Sequence, residues 1–81
     1  MEKTEIILKV KKIIVDLVGV EEGEILLESG FVNDLGVDSL LLSELIMNFE
    51  DTFGLSVSDE EAMGLRTVGE VVDFIYKAKA A

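Results

Sequence analysis

The chain has no cysteine and no histidine, and these two absences remove most routes to chemistry. Without cysteine there is no disulfide framework and no thiolate to act as nucleophile or metal ligand. Without histidine there is no imidazole base and no zinc or haem ligation through a ring nitrogen. Basic residues are scarce too: 7 Lys and Arg stand against 17 Asp and Glu, a formal net charge of −10. Phosphate-rich surfaces bind where Lys and Arg gather to release counterions, so nucleic acid and anionic lipid are excluded as partners. Partners carrying basic patches are expected instead. Long hydrophobic runs are also missing, so no membrane insertion is expected. Met1 to Asp16 is charged throughout its apolar pattern, unlike a signal peptide. The expected compartment is the cytoplasm, or an organelle where an address has been removed.

What is present is a globular composition, 49% hydrophobic and 30% charged. With 81 residues the chain supports one hydrophobic core, so a single domain over 1–81 is expected. A domain of this size keeps a net stability of only about a few kcal/mol. Binding or carrying suits it better than building a deep, dry catalytic cleft.

Apolar residues over 5–18 fall at Ile6, Ile7, Val10, Ile13, Ile14, Leu17 and Val18, one face of a helix that Gly19 can close in the left-handed conformation. Lys3, Lys9, Lys11 and Lys12, four of the seven basic residues, lie in this segment. Residues 19–38 have no sustained period but carry Ile25, Leu26, Leu27, Phe31, Val32 and Leu35, which predicts a long loop anchored on the core. A short helical turn over 32–35, stopped by Gly36, is expected within it.

A second helix is predicted over 40–53, with Leu42, Leu45, Ile46, Phe49 and Phe53 inward. Asp38 or Ser39 supplies its N-cap and Gly54 its end. At about 100° per residue, Leu40, Glu44, Met47 and Asp51 share the outward side. Outward leucines and methionines are ordinary taken singly. Alternating with acids on one helix, they read as a docking strip.

Ser58 to Glu61 and Thr67 to Glu70 are capping-box patterns. The first opens a short helix that Gly64 ends. The second opens a last helix with Val68, Val71, Val72 and Ile75 inward and Lys77 and Lys79 at its negative pole. The predicted fold is all-α: a four-helix bundle of three longer helices and one short helix, with a long loop between the first two.

The carboxylates lie on solvated faces, where nothing shifts their pKa towards acid–base work. The Asp34 to Asp38 segment fails as a calcium loop, because Gly36, Leu40 and Leu45 occupy positions that need oxygen ligands. No metal site is expected, and no glycine-rich phosphate loop is present. Ser39 remains. Most serines at a helix start only cap, contributing about 1 kcal/mol. Lacking a base, Ser39 is no nucleophile by its own means, but it can be an acceptor whose deprotonation another enzyme supplies. A helix N-terminus, with free N–H groups and about half a positive charge, accommodates a phosphodiester there.

The stretch Phe31-Val32-Asn33-Asp34-Leu35-Gly36-Val37-Asp38-Ser39-Leu40 closely resembles the attachment segment of acyl carrier proteins. The resemblance continues through Glu44-Leu45-Ile46-Met47, Phe53, Asp59-Glu60-Glu61-Ala62 and Thr67-Val68, and so covers essentially the whole chain. It implies that Ser39, flanked by Asp38 and Leu40, receives 4′-phosphopantetheine from coenzyme A through a magnesium-dependent phosphopantetheinyl transferase. The terminal thiol of the arm would carry acyl groups as thioesters. The chain would then be no enzyme but a monomeric carrier visiting acyl-transfer, condensing and other synthase enzymes of fatty-acid, polyketide or specialised lipid biosynthesis.

The same resemblance assigns docking to Asp38, Glu44, Glu50 and Asp51, with apolar contacts from Leu40 and Met47, and implies that acyl chains shelter among the helices. Leu41 stands where the family often has an acid, two residues from Ser39, and is included in the docking surface. Ser43, Ser58 and Gly64 also depart from the common pattern. Two other readings remain open: a peptidyl or aminoacyl carrier using the same serine, and an unmodified acidic helical adaptor.

Overall fold

In the structure, a computed structural model that describes residues 2–80, the first helix is the element on which the others are assembled. Helix α1 (Lys3–Val18) buries Ile6, Val10 and Ile14 at fourfold spacing and packs against both of the other long helices. It starts two residues before the predicted segment and ends as predicted. Gly19 adopts φ +82° and donates its N–H to the Val15 carbonyl at 3.0 Å.

Helix α2 (Ser39–Phe53) buries Leu45, Phe49 and Phe53, while Leu42 and Ile46 are only half-buried. Those two flank a groove between α2 and the short helix α3 (Asp59–Met63), which itself buries no residue. Helix α4 (Val68–Ala80) buries the predicted stripe of Val68, Val71, Val72 and Ile75. Both capping boxes form. Glu61 N–H donates to Ser58 Oγ at 3.1 Å and Ser58 N–H to Glu61 Oε1 at 3.0 Å. Glu70 N–H donates to Thr67 Oγ1 at 3.2 Å and Thr67 N–H to Glu70 Oε1 at 3.0 Å. The bundle is therefore the predicted all-α arrangement of three long helices and one short one.

The long loop differs in detail from its prediction. Ile25, Phe31 and Leu35 are buried as anchors, joined by Val37, but Leu26, Leu27 and Val32 face solvent. A 3-10 turn at Glu22–Glu24 interrupts the loop, while residues 31–35 form consecutive turns that include the short turn expected over 32–35. Asp34 and Leu35 N–H both donate to the Gly30 carbonyl. The loop runs along the start of α4, held by Gly69 N–H to Leu27 O at 2.7 Å, Val68 N–H to Ser29 O at 3.1 Å and Phe31 N–H to Arg66 O at 3.0 Å.

Charge is segregated over this frame. Lys9 and Lys12 are exposed on α1, whereas the only basic residue between Lys12 and Lys77 is Arg66. Across the α1–α4 seam, Lys3 Nζ lies 2.7 Å from Asp73 Oδ1. The hydrogen bond from Lys3, reinforced by its charge, holds the Asp73 carboxyl below its ordinary range. The pair's contribution is therefore present at neutral pH and lost as pH falls through that lowered value. It is small, because both side chains are about half exposed to screening water, 49% and 56%. Among the described residues, no helix is long and apolar enough to cross a membrane.

Candidate functional site

The loop delivers the start of α2 to the surface by a short sequence of constraints. Phe31 and Val37 are buried, and Val37 N–H donates to the Phe31 carbonyl at 2.8 Å. Gly36 makes the intervening bend at φ +68°. Beyond Val37 the chain emerges, and Asp38, Ser39 and Leu40 are all exposed.

The structure separates two roles that the residue pattern left between Asp38 and Ser39. Asp38 is the N-cap, extended at φ −86° and ψ 176°, and its Oδ1 accepts from Leu41 N–H at 2.8 Å. Its carbonyl accepts from Leu42 N–H at 2.9 Å. Ser39 is the first helical residue, and its carbonyl accepts from Ser43 Oγ at 3.1 Å. The Ser39 hydroxyl has no hydrogen-bond partner among the described residues, and capping leaves the Ser39 and Leu40 amides without acceptors. An uncommitted, exposed hydroxyl beside two free amide donors at the positive end of a helix fits a phosphodiester.

Leu40, Glu44, Met47 and Asp51 are all exposed on one side of α2, with Leu40 at 71% and Met47 at 61%. Leu41 and Glu50 stand apart from this strip. Leu41 is half-buried and packs against the core. Glu50 is half-buried, and its Oε2 accepts from Val57 N–H at 2.8 Å, tying the α2–α3 connection to α2.

One turn along α2 from Ser39, Leu42 lines a cavity of about 290 Å³ between the loop, α2 and α3. Phe31, Val32, Ala62, Met63 and Leu65 form the rest of its apolar wall, and Asn33 and Arg66, both exposed, are its polar residues. Met63 and Arg66 were not among the residues singled out from the sequence, and Val32 was expected to anchor the loop on the core. They meet only because the loop is hydrogen-bonded to the α3–α4 connection, and no periodicity marks them.

Residues 8–75 match the family described as Phosphopantetheine attachment site, a span that includes every element built above except the ends of α1 and α4. Carriers of this family hold covalently attached 4′-phosphopantetheine and are modified by a phosphopantetheinyl transferase. An exposed serine at a helix start, capped by its neighbour and lying within a family match of this extent, leads to one conclusion: this chain belongs to the phosphopantetheine attachment site family.

Proposed function

We propose that the chain is an acyl carrier protein whose arm is attached to Ser39 and whose cargo serves fatty-acid or related polyketide or specialised lipid biosynthesis. The observation that carries this reading is the free Ser39 hydroxyl beside a cap supplied by Asp38. Structural capping does not account for this serine, and attachment does. The arm supplies a thiol that a chain without cysteine lacks, and acyl groups travel on it as thioesters. The apolar cavity beside Leu42 supports an acyl rather than an aminoacyl cargo, since it offers such a chain shelter from water.

Incubation with coenzyme A, magnesium and a broad-specificity phosphopantetheinyl transferase should add the mass of one phosphopantetheine, which peptide mapping should place on Ser39. A chain left unmodified by several such transferases, or modified at another serine, would overturn the attachment site.

Leu40, Glu44, Met47 and Asp51 form the strip offered to basic partner surfaces, with Asp38 at its upper end. Leu41 lies beside the strip, half-buried at the edge of the core, and adds apolar area to the same docking surface. Glu50 contributes charge while its carboxylate holds the following loop. Such a surface accelerates encounter and leaves each complex short-lived, as a carrier visiting several enzymes needs. Glu44→Lys should slow acyl transfer to a partner enzyme by about fivefold at low salt, with the melting temperature unchanged. Equal transfer rates for the two chains would remove Glu44 from the docking surface.

A further inference from the structure

We propose that the cargo of this carrier ends in a carboxylate, which Arg66 and Asn33 hold at the cavity beside Leu42. The inference rests on attachment at Ser39 and narrows the acyl group to a class. A solitary cation in a chain of net charge −10 has many acids to choose from, yet Arg66 makes no ion pair among the described residues. Among the described residues the one ion pair joins Lys3 and Asp73.

The acids nearest the cavity are held by backbone donors. Glu70 Oε1 accepts from Arg66 N–H at 3.2 Å and Thr67 N–H at 3.0 Å, and Asp34 Oδ2 accepts from Gly30 N–H at 2.7 Å. Asn33 likewise makes no side-chain hydrogen bond among the described residues. Two uncommitted donor side chains therefore line a cavity whose remaining side chains are apolar.

An apolar pocket with a few convergent polar groups selects a ligand that is apolar along its length and polar at one place. A guanidinium carries five N–H donors and no acceptor, and a carboxamide adds two donors, so the complementary group is a carboxylate. A basic end would be repelled, and a plain alkyl end would use neither donor. The cavity, about 290 Å³, has the volume of about ten waters and admits a chain of a few carbons. Tethering through Ser39 raises the local concentration of such a group to about the millimolar range, so a modest interaction suffices.

The test compares two arms of equal length installed by the transferase from their coenzyme A thioesters: hexanoyl, and adipoyl with its terminal carboxylate. Thioester cleavage by hydroxylamine is measured at low salt, with the two free coenzyme A thioesters as the reference. Adipoyl on the unaltered chain should be cleaved about fivefold more slowly than hexanoyl after that correction. Its carboxylate should also shift the methyl NMR signals of Leu42 and Met63. Arg66→Gln should abolish the difference between the two arms compared on that same variant, and Asn33→Ala should reduce it. Equal rates on the unaltered chain, or adipoyl protection that survives Arg66→Gln, would overturn the proposal. A chain that takes neither arm overturns the carrier reading and this proposal with it; one that takes both without distinguishing them overturns only the carboxylate.

Discussion

A Ser39→Ala chain should melt at the same temperature as the unaltered chain and yet accept no arm at all. The hydroxyl has no partner among the described residues, so its removal breaks no hydrogen bond, and alanine is the better helix former at an exposed position. Asp38→Ala should show the opposite balance. It removes the acceptor 2.8 Å from Leu41 N–H, and losing an N-cap costs about 1 kcal/mol. For a domain of this size that lowers the melting temperature by about 4–8 °C. The arm should still be added to Asp38→Ala, more slowly, because the helix start that presents Ser39 is loosened. Melting curves and intact masses of the two variants read both quantities. A Ser39→Ala chain that melts several degrees lower would return the serine to a capping role.

Gly69→Ala should destabilise the protein although it replaces glycine with alanine inside a helix. That exchange alone favours the helix by up to about 1 kcal/mol. Here the added Cβ would lie 2.9 Å from the Leu27 carbonyl oxygen, a backbone atom with little freedom to yield. The same oxygen accepts from Gly69 N–H at 2.7 Å, so loop and helix must part and the bond lengthens or breaks. Overpacking of this kind costs about 1–3 kcal/mol, enough to outweigh the gain in propensity. The melting temperature should fall by about 5–15 °C. Gly23→Ala is the control, since nothing lies within 4 Å of the added carbon. Equal melting temperatures for the two variants would show that the loop does not pack closely on α4. Because the loop leads to Ser39, Gly69→Ala should also slow addition of the arm.

The helices were legible because each states itself locally. An apolar residue every third or fourth position set the buried stripes of α1, α2 and α4, and the Ser58–Glu61 and Thr67–Glu70 pairs marked two helix starts to the residue. The path of the loop was not legible for a related reason. Its holding bonds run from Phe31 to Arg66 and from Gly69 to Leu27 between backbone atoms, and backbone groups are the same at every residue. Composition therefore marked the loop as anchored and misassigned half of its anchors, with Leu26, Leu27 and Val32 left outside.

At the candidate site the same division holds. The position of Ser39 followed from a local motif, and the choice of Asp38 as cap needed the geometry. Periodicity placed the strip of Leu40, Glu44, Met47 and Asp51 on one exposed side. Glu50 belongs to the acids by composition, but its bond to Val57 spans seven residues and no helical period reports it. That Asn33 and Arg66 line one cavity is likewise a product of tertiary contact.

Helix α1 carries four lysines against Glu5 and Asp16, whereas α2 carries Glu44, Glu50 and Asp51 and no basic residue, so the molecule is unevenly charged as well as anionic. Net charge draws the protein towards a basic surface, but only a dipole experiences a torque there. In the field of a basic partner this unevenness favours approach with α2 and the neighbouring Ser39 forward. Fewer encounters then arrive in the wrong orientation, and the search that precedes each hand-over becomes a search over position more than over angle.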